Sequence, residues 1–417
     1  MADQTFKALT LSKWRQFEHV ELDLSSNLCV LTGPNGSGKT TILSVLGRHF
    51  GWSQSFLSTP YTSKKRRRTY SDAWDQIKAL ESDRPDAEAD EVEVGTITYS
   101  DGQLSKLKLP ASGHAQYNIN FSNQQSVMGL HIPSHRPPPA YHRVTNIPID
   151  PKTSQQQYQE YQSFLYSTYG ETSSRNPATA MKQTLIALAM FGEGNKSVQA
   201  NADYARMFSG FQDVLEKLLP SNIGFERIEV RSPDVVLKTK SGTFALESMS
   251  GGLNALFGIA WQIHTFGFDK GSCTVLLDEP ENHLHPSMQR ELLPRLTAAF
   301  PTYKFVIASH SPFIVASKHD AAVYAFLYNK EQHVVSERLA EADLAASPNK
   351  VLRDILDVPV TMPIWVEHRI GAVLEKYKGA SIDAETISKI RKDLELQGLG
   401  EALGDFLAQR PKADSKE

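Results

Sequence analysis

The chain has 417 residues, a formal net charge of −3 and a pI near 6.5. This length allows two or three average domains, or one large α/β domain with insertions, and the near-neutral charge excludes a general electrostatic attraction of the whole chain to nucleic acid. Because the sequence has only two cysteines, both in apolar runs, and no apolar segment of about 18 residues, we expect a soluble cytoplasmic protein that does not cross a membrane.

The first predicted elements are three β-strands within residues 5–32, followed by a glycine-rich loop and a helix. The loop, residues 33–40, fits the pattern G-x-x-x-x-G-K-[ST], in which backbone amides at a helix N-terminus surround phosphate groups. Lys39 would bring a positive charge to the β- and γ-phosphates, and the hydroxyl of Thr40 would bind Mg²⁺. The sequence therefore predicts that the chain binds ATP and Mg²⁺. The nucleotide-binding residues predicted in this region are Gly33, Asn35, Gly36, Ser37, Gly38, Lys39, Thr40 and Thr41.

Residues 52–90 are polar and charged, and we interpret them as a surface insertion in an N-terminal ATPase lobe that spans residues 1–150. The insertion contains the basic run Lys64 to Arg68, which is typical of a solvated loop but could also contact DNA phosphates. Further along, the pair Asp101-Gly102 predicts a β-hairpin within residues 92–109.

A helical lobe is predicted for residues 151–222, followed by a second ATPase lobe in residues 223–318. In the second lobe, Ser250-Gly251-Gly252 opens a helix, and a serine cap with exposed N–H groups makes an anion-binding helix terminus. One phosphate loop is already present in the chain. The second phosphate-binding turn is therefore interpreted as a contact to the nucleotide that is bound by a neighbouring subunit. We therefore predict a head-to-tail homodimer, or a higher homo-oligomer, that holds ATP between its subunits.

Two apolar strands end in side chains suited to phosphoryl chemistry. The first is followed by Asp278 and Glu279. Asp278 would hold Mg²⁺ together with Thr40, and Glu279 would orient or deprotonate the attacking water. The second strand leads to His310, whose imidazole can hydrogen-bond a γ-phosphate oxygen. The predicted catalytic residues are therefore Glu279, His310 and Lys39.

The order of these motifs resembles that of ABC-type ATPases. The phosphate loop is followed by Met249-Ser250-Gly251-Gly252, by Leu276 to Pro286 and by Ser309 to Pro312. More narrowly, the sequence is similar to the soluble AAA-15/AAA-21 and RecF-like branch, which includes overcoming-lysogenization-defect proteins and ATPase subunits of bacterial antiphage systems such as PARIS and Septu. The resemblance covers roughly residues 5–48 and 225–318. It implies an α/β P-loop NTPase fold of the ABC-ATPase type, with a mixed sheet, an antiparallel β subdomain and a helical lobe.

The same resemblance implies roles for individual residues. Ser250 and Gly252 would contact the γ-phosphate held by the partner subunit. Asp278-Glu279 would be the Walker B pair, and His310 the switch histidine. Glu281 to His285 would form the D-loop at the dimer interface.

Some positions depart from the family pattern. Leu253 stands where relatives usually have glutamine or glutamate, so we expect slow hydrolysis. The Q-loop glutamine has several candidates, and the loop Ser134 to Arg136 is an alternative occupant of its position. The glutamine candidates are Gln103, Gln124 and Gln125.

Trp14 and Arg15, before the phosphate loop, either contact the adenine and phosphates or form a surface pair. Residues 319–417 are predicted to form a C-terminal α/β extension. Glu367 resembles the first metal ligand of a TOPRIM nuclease, but no Asp-x-Asp follows it. We therefore expect no nuclease in this chain.

Two functions are compatible with these features. In the first, the chain is an ATP-driven sensor or scaffold of an antiphage complex and controls a separately encoded effector, such as a TOPRIM or HNH nuclease. In the second, it is a RecF-like ATPase of DNA repair or chromosome maintenance that binds DNA. A transporter subunit is a third option, against which the segment Asn282 to His285 argues because it is typical of soluble relatives.

Overall fold

The computed structural model describes residues 4–52, 54–62, 68–74, 77, 91–110, 114–137, 140–167, 176–341, 348–356, 363–377 and 384–400. Most of the predicted insertion at residues 52–90 lies outside these ranges, including the basic run apart from the backbone of Arg68. The chain divides into two units, Met1–Ala340 and Glu341–Glu417.

The strands and helices of the described residues are numbered here in chain order. The strands are β1 (Phe6–Trp14), β2 (Phe17–Asp23), β3 (Leu28–Thr32), β4 (Phe56–Leu57), β5 (Pro60–Thr62), β6 (Arg68–Tyr70), β7 (Glu91–Tyr99), β8 (Leu104–Pro110), β9 (Gln116–Tyr117), β10 (Asn120–Ser122), β11 (Gly129–Ile132), β12 (Phe225–Arg231), β13 (Asp234–Thr239), β14 (Gly242–Ala245), β15 (Thr274–Asp278), β16 (Lys304–Ala308), β17 (Ala322–Tyr328) and β18 (Val334–Arg338). The helices are α1 (Lys39–Gly47), α2 (Ser154–Ser167), α3 (Pro177–Gly192), α4 (Ala202–Leu218), α5 (Gly251–Gly267), α6 (Pro286–Ala299), α7 (Pro312–Val315), α8 (Pro348–Asp354), α9 (Ile364–Glu375) and α10 (Ala384–Glu395).

A mixed sheet of eleven described strands forms the centre of the first unit, in the order β10-β8-β7-β1-β2-β18-β17-β3-β16-β15-β11. The five strands from β17 to β11 are parallel to one another. On the other side of the sheet, the neighbouring strands β10, β8, β7, β1 and β2 are antiparallel to one another. Every residue of β3 and of β15 is buried, as expected for parallel strands that are covered on both faces. The predicted α/β class with a mixed sheet and an antiparallel part is confirmed.

The register of the parallel strands brings three sequence motifs to one edge of the sheet. Ala308 at the end of β16 pairs with Leu31 of β3 on one side and with Asp278 of β15 on the other. The phosphate loop follows β3, and His310 follows β16. Because the carboxyl ends of parallel strands meet at one edge, the loop, the acidic pair and the histidine are neighbours.

A helical lobe is built from α2, α3, α4 and α5, which pack against one another. The side chains of Asn176 and Asn201 accept hydrogen bonds from the first turns of α3 and α4, which explains where these helices begin. Inside the lobe, Phe211 makes edge-to-face contacts with Phe257 and Trp261. The lobe is flanked by the antiparallel sheet β12-β13-β14. Helices α2, α3 and α4 all lie within residues 151–222, the range for which a helical lobe is predicted.

The second unit contains α8, α9 and α10. Its described residues include a small apolar cluster, formed by Val366, Ile370, Val373, Leu394 and Leu399. Across the described ranges, no helix combines the length and the hydropathy that crossing a bilayer requires.

The structure differs from the sequence analysis in the C-terminal region. The extension was predicted to start at residue 319, but β17 and β18 lie inside the main sheet, where β17 pairs with β3. The boundary between the units follows Ala340, and the part of the second unit that the structure describes is helical. Local periodicity identifies these strands but does not indicate which sheet they join.

Candidate functional site

The phosphate loop connects the buried strand β3 to helix α1. Its three glycines have positive φ angles, 141° at Gly33, 81° at Gly36 and 95° at Gly38. Side chains are strained or excluded in such conformations. A Cβ atom on Gly38 would lie 2.3 Å from Cζ of Phe17, so the close packing of β2 on the loop also requires glycine there.

The side chain of Lys39 lies along the loop. Its Nζ donates hydrogen bonds to the main-chain oxygens of Gly33 at 2.8 Å and Pro34 at 3.0 Å. Burial lowers the pKa of Lys39, while the carboxylates of Glu279, Asp278 and Glu281 act in the opposite direction. The ammonium is therefore held beside the loop and close to a cluster of acids.

Thr40 and Asp278 connect the loop to the end of β15. The hydroxyl of Thr40 donates to both carboxylate oxygens of Asp278, at 3.0 and 3.2 Å. Burial raises the pKa of Asp278 to about 6, although the hydrogen bond from Thr40 lowers it. A nearby cation would relieve the cost of this buried negative charge.

Glu279 has an unusual backbone conformation, with φ at 44°. Its N–H donates to the main-chain oxygen of Ala308 at 2.9 Å. The guanidinium of Arg136 donates to the main-chain oxygens of Asp278 at 3.2 Å and Glu279 at 3.1 Å. Non-glycine residues in this region are strained and persist only where surrounding contacts fix them. Arg136 is one of those contacts, and the sequence indicates it only as part of the loop that is an alternative to a Q-loop glutamine.

The carboxylate of Glu279 contacts two polar side chains. Oε2 accepts a hydrogen bond from Nδ2 of Asn282 at 3.0 Å, and Oε1 lies 3.4 Å from Nδ1 of His310. The side chain of Glu279 is 30% exposed and that of His310 is 47% exposed, so both can be reached from solvent. The structure thus brings together the predicted catalytic carboxylate and the predicted switch histidine.

Glu281 is the first residue of the predicted D-loop, and it is buried. Its side chain is only 3% exposed. Oε1 accepts hydrogen bonds from the hydroxyl of Ser309 at 2.6 Å and from the N–H of His310 at 3.0 Å. Within the segment Glu281 to His285, predicted as the D-loop, the carboxylate of Glu281 is therefore turned into the protein, while His283 and His285 are exposed.

Ser250 caps α5 by accepting a hydrogen bond from the N–H of Leu253. The glycines that follow it pack on the turn after β15. A Cβ atom on Gly251 would lie 3.6 Å from Cβ of His283, and one on Gly252 would lie 2.9 Å from the main-chain oxygen of His283. The serine-glycine turn is exposed at Ser250 and Gly251, which leaves it accessible to a second molecule.

The proline-flanked loop after β11 separates two open clefts. One, of about 650 Å³, extends from Thr40 and Asp278 past His131 to Trp52. The other, of about 740 Å³, lies between the loop, Gly251 and His283. Ser134 and His135 line both clefts.

The loop Ser134 to Arg136, which the sequence offers as an alternative to a Q-loop glutamine, lies beside the acidic pair, because Arg136 donates to the main-chain oxygens of Asp278 and Glu279. The glutamine candidates lie in the antiparallel part of the fold instead. Gln103 is in the turn between β7 and β8, and the side chain of Gln125 donates to Asn123.

Trp14 cannot contact a nucleotide, because its side chain is fully buried. It packs on Phe17 and Phe56, and its indole N–H donates to the hydroxyl of Tyr117 at 2.9 Å. Arg15 lies 3.9 Å from the carboxylate of Asp72. The adjacent residue, Gln16, is the one that contacts the phosphate loop, through the main-chain oxygen of Gly36 at 3.3 Å.

These residues fit ATP and Mg²⁺ by their chemistry. The left-handed glycines leave a loop without side chains in front of the N-terminus of α1, where an anion is favoured. The hydroxyl of Ser37 is buried without a hydrogen-bond partner among the described residues. The hydroxyl of Thr40 and the carboxylate of Asp278 are the oxygen donors that Mg²⁺ prefers.

Two family matches cover most of the first unit. Residues 8–202 match a family described as "AAA domain", and residues 212–316 match one described as "AAA domain, putative AbiEii toxin, Type IV TA system". The chain is a P-loop ATPase of the AAA type.

Individual relatives of this ATPase are more distant. Septu protein PtuA of Bacillus mycoides (strain KBAB4) is 27% identical over 131 residues, which cover 30% of this chain and 18% of that protein. Septu protein PtuA of Bacillus thuringiensis is 23% identical over 188 residues, covering 42% and 46%. The Retron Ec83 probable ATPase of Escherichia coli is 45% identical over 42 residues, covering 10% and 8%. This ATPase therefore spans less than half the length of each of these relatives.

Among solved structures, the SMC head domain from Thermotoga maritima superposes with a TM-score of 0.42 at 12% identity, over 81% of this ATPase and 99% of that chain.

Proposed function

We propose that this ATPase binds and hydrolyses ATP with Mg²⁺ as the sensor or scaffold subunit of an antiphage defence complex, and that it controls a separately encoded effector. The observation that supports hydrolysis is the meeting of Lys39, Thr40, Asp278, Glu279 and His310 at one edge of the sheet. Glu279 and His310 lie 3.4 Å apart, next to the lysine and the Thr40-Asp278 pair, and phosphoryl transfer to water requires such a combination of a base, a cation and metal ligands. The family similarity to Septu PtuA and to a retron ATPase supports the defence context.

Different residues of the site would bind the phosphates, hold Mg²⁺ and activate the attacking water in ATP hydrolysis. The loop amides and Lys39 bind the phosphates and balance their charge. Thr40 and Asp278 would hold Mg²⁺, which neutralises charge on the β- and γ-phosphates when it is bound. Glu279 orients the attacking water and accepts its proton, and its contacts with Asn282 and His310 fix the direction of the carboxylate.

The exposed turn from Ser250 to Gly252 supports the proposal that ATP is held between two copies of the chain. The cap of a 17-residue helix offers N–H groups and a hydroxyl to an anion. In a head-to-tail homodimer, this turn would contact the γ-phosphate bound to the phosphate loop of the partner subunit. Leu253, an apolar residue in the first turn of α5, offers no polar contact to that nucleotide, and we therefore expect slow turnover.

Two substitutions test hydrolysis and binding separately. Lys39→Ala should lose ATP binding, whereas Glu279→Gln should keep the ATP affinity within about threefold and lower kcat by about 100-fold or more. Lys196→Ala and Glu216→Gln, which change exposed residues of the helical lobe, are the matched controls. Wild-type turnover in either site variant would contradict the proposed roles.

Assembly is tested with the Glu279→Gln variant, because slow hydrolysis preserves the ATP-bound state. Light scattering should show a larger species with ATP and Mg²⁺ than with ADP, and Ser250→Arg should abolish that increase. An unchanged mass under all conditions would contradict the shared nucleotide site.

The effector and the alternative function are distinguished by what the purified protein binds. Co-purification of a small nuclease, of the TOPRIM or HNH type, after expression with the neighbouring genes would support the defence proposal. Salt-dependent binding of double-stranded DNA by the protein alone would instead support the RecF-like repair alternative.

A further inference from the structure

Glu281 is a buried acid beside the proposed catalytic residues. It has no role in the ATP hydrolysis proposed above. It lies three residues after Asp278, in the turn that follows β15. Its Oε1 atom accepts two hydrogen bonds from the end of β16, one from the hydroxyl of Ser309 at 2.6 Å and one from the N–H of His310 at 3.0 Å. Its Oε2 atom is buried and has no hydrogen-bond partner among the described residues.

The two bonded residues belong to the segment that carries the switch histidine. Ser309 is fully buried, and its own N–H donates to the main-chain oxygen of Leu31 in β3 at 3.0 Å. The hydroxyl of Ser309 also accepts a hydrogen bond from the N–H of Ser311 at 3.0 Å. Glu281 therefore fixes the start of this segment from the side of β15, while β3 fixes it from the other side.

The imidazole of His310 faces both acids of the turn. Its Nδ1 atom lies 3.4 Å from Oε1 of Glu279 and 3.7 Å from Oε1 of Glu281. The two carboxylates differ in their freedom, since that of Glu279 is 30% exposed and that of Glu281 is 3% exposed. A water molecule can reach the carboxylate of Glu279, whereas the carboxylate of Glu281 is enclosed by the protein.

A purely structural role does not require a charge at this position. A glutamine could accept the same two hydrogen bonds through its amide oxygen, without the cost of burying a carboxylate that has one unpaired oxygen. The negative charge is useful if it acts on a neighbour, and the nearest ionisable neighbour on the segment it holds is His310.

We propose that Glu281 is a positioning residue of the ATP site, which holds the segment Ser309-His310 and orients the imidazole toward Glu279 and the γ-phosphate. This inference rests on the proposed hydrolysis of ATP. The hydrogen bonds of the Glu281 carboxylate lie within one subunit, and the exposed residues His283 and His285 of the same segment remain accessible to a second chain.

The test is a double-mutant cycle between Glu281→Gln and His310→Ala, with kcat, KM for ATP and the affinity for a fluorescent ATP analogue as readouts. In the wild-type background, Glu281→Gln should lower kcat by about tenfold and change KM and analogue affinity by less than about threefold. In the His310→Ala background, the same substitution should change kcat by less than about twofold, because the residue through which it acts is gone. Glu216→Gln is the control for the loss of one acid.

Equal effects of Glu281→Gln in both backgrounds would overturn the proposal, since they would show a role independent of His310. Wild-type kcat in Glu281→Gln would overturn it as well. If Glu281→Gln does not fold, Ser309→Ala enters the same cycle: it removes one of the two hydrogen bonds and leaves the carboxylate in place. Non-additivity with His310→Ala is then expected, and additivity overturns the proposal.

Measurement of ATP hydrolysis by the wild-type protein distinguishes a failure of the proposed function from a failure of the role proposed for Glu281. If the wild type does not hydrolyse ATP, the proposed function fails. If the wild type hydrolyses ATP and the cycle is additive, only the role of Glu281 fails.

Discussion

The hydroxyl of Thr40 lies 3.0 Å from Oδ2 of Asp278 and 3.2 Å from Oδ1, which joins the first residues of α1 to the last residue of β15. This contact spans 238 positions of the chain. It places a hydroxyl and a carboxylate side by side, at the point where Mg²⁺ would bind next to the phosphates.

Replacement of Thr40 by valine should raise the Mg²⁺ concentration needed for half-maximal ATP hydrolysis by at least about tenfold. Valine has a similar shape but removes the hydroxyl donor and ligand. Thr40→Ser keeps the hydroxyl and is the control, so its Mg²⁺ dependence should stay close to that of the wild type. Titration of hydrolysis with Mg²⁺ at saturating ATP measures the difference, and identical curves for Thr40→Val and wild type would remove Thr40 from the metal site.

Gly38→Ala should destabilise the protein by more than the left-handed backbone alone explains. An alanine in that conformation costs about 1–2 kcal/mol. At Gly38, the new Cβ atom would also lie 2.3 Å from Cζ of Phe17. Gly51 is the matched control, because its φ is 80° and a Cβ atom there would meet no atom within 4 Å. Urea denaturation should show a larger loss for Gly38→Ala, and equal losses would mean that Phe17 moves aside without cost.

Arg136→Lys should lower kcat by about tenfold while leaving the ATP affinity within about threefold of the wild type. A single ammonium cannot reproduce the two guanidinium hydrogen bonds to the main-chain oxygens of Asp278 and Glu279. Without them, the strained backbone of Glu279 is free to relax and the carboxylate loses its direction. Arg290→Lys, at an exposed position of α6, is the control, and an unchanged kcat in Arg136→Lys would show that other contacts hold the turn.

Lys182→Met should lower the free energy of unfolding by about 3 kcal/mol, because it leaves the buried Glu247 and the 30% exposed Asp234 without their lysine partner. The Nζ atom of this fully buried lysine lies 2.7 Å from Oδ1 of Asp234 and 2.6 Å from Oε1 of Glu247. Burial acts against its charge, yet the hydrogen bonds with Asp234 and Glu247 raise the pKa of Lys182 overall. Lys196→Met, at an exposed position of the same lobe, should change stability little. Comparable unfolding midpoints for the two variants would contradict the importance of the buried charges.

The stability of the protein should fall as the pH decreases from 6.5 to 4. Burial lowers the pKa of His49, His131 and His264 to about 4 in the folded protein, from an ordinary value of 6.5. Between these values the unfolded chain binds protons that the folded chain does not, so each histidine can contribute up to about 3 kcal/mol of stability that is present above pH 6.5 and lost toward pH 4.

Urea denaturation at pH 7 and pH 5 measures this dependence. His131→Phe should reduce it, because phenylalanine keeps a ring against Trp52 and cannot be protonated. His319→Phe, which changes an exposed histidine, is the control. An identical pH dependence in His131→Phe and wild type would show that His131 does not contribute.

The elements near the phosphate loop could be predicted because their signals are local. Burial and backbone conformation can be predicted directly from three kinds of local pattern. These are the alternation of apolar and polar residues in β1 and β2, the apolar runs of β3 and β15, and the Asp-Gly turn between β7 and β8. The loop glycines report positive φ angles, and all three have them. For such features, a short window of sequence contains the physical cause of the structure.

The roles of Trp14, Glu281 and the glutamine candidates were not fixed by local signals. An indole before a phosphate loop can pack inside or lie on a base, and an acid in a turn can face a partner or the core. The residues in contact with each side chain determine which outcome occurs. Tyr117 and Phe56 contact Trp14, and the hydroxyl of Ser309 donates to the carboxylate of Glu281. These neighbours are distant in the chain, so no window around either residue contains them.

The amino-acid sequence by itself determined that a triphosphate-binding loop, an acidic strand end and a histidine strand end exist, since each depends on consecutive residues. Only the tertiary structure decided that Arg136 holds the acidic pair, that Glu281 holds the histidine segment and that β17 and β18 belong to the main sheet. The physical reason is the order of the strands, β17-β3-β16-β15-β11, which sets side chains from distant parts of the chain within hydrogen-bond distance. That order follows from the packing of the whole unit and not from any segment of it.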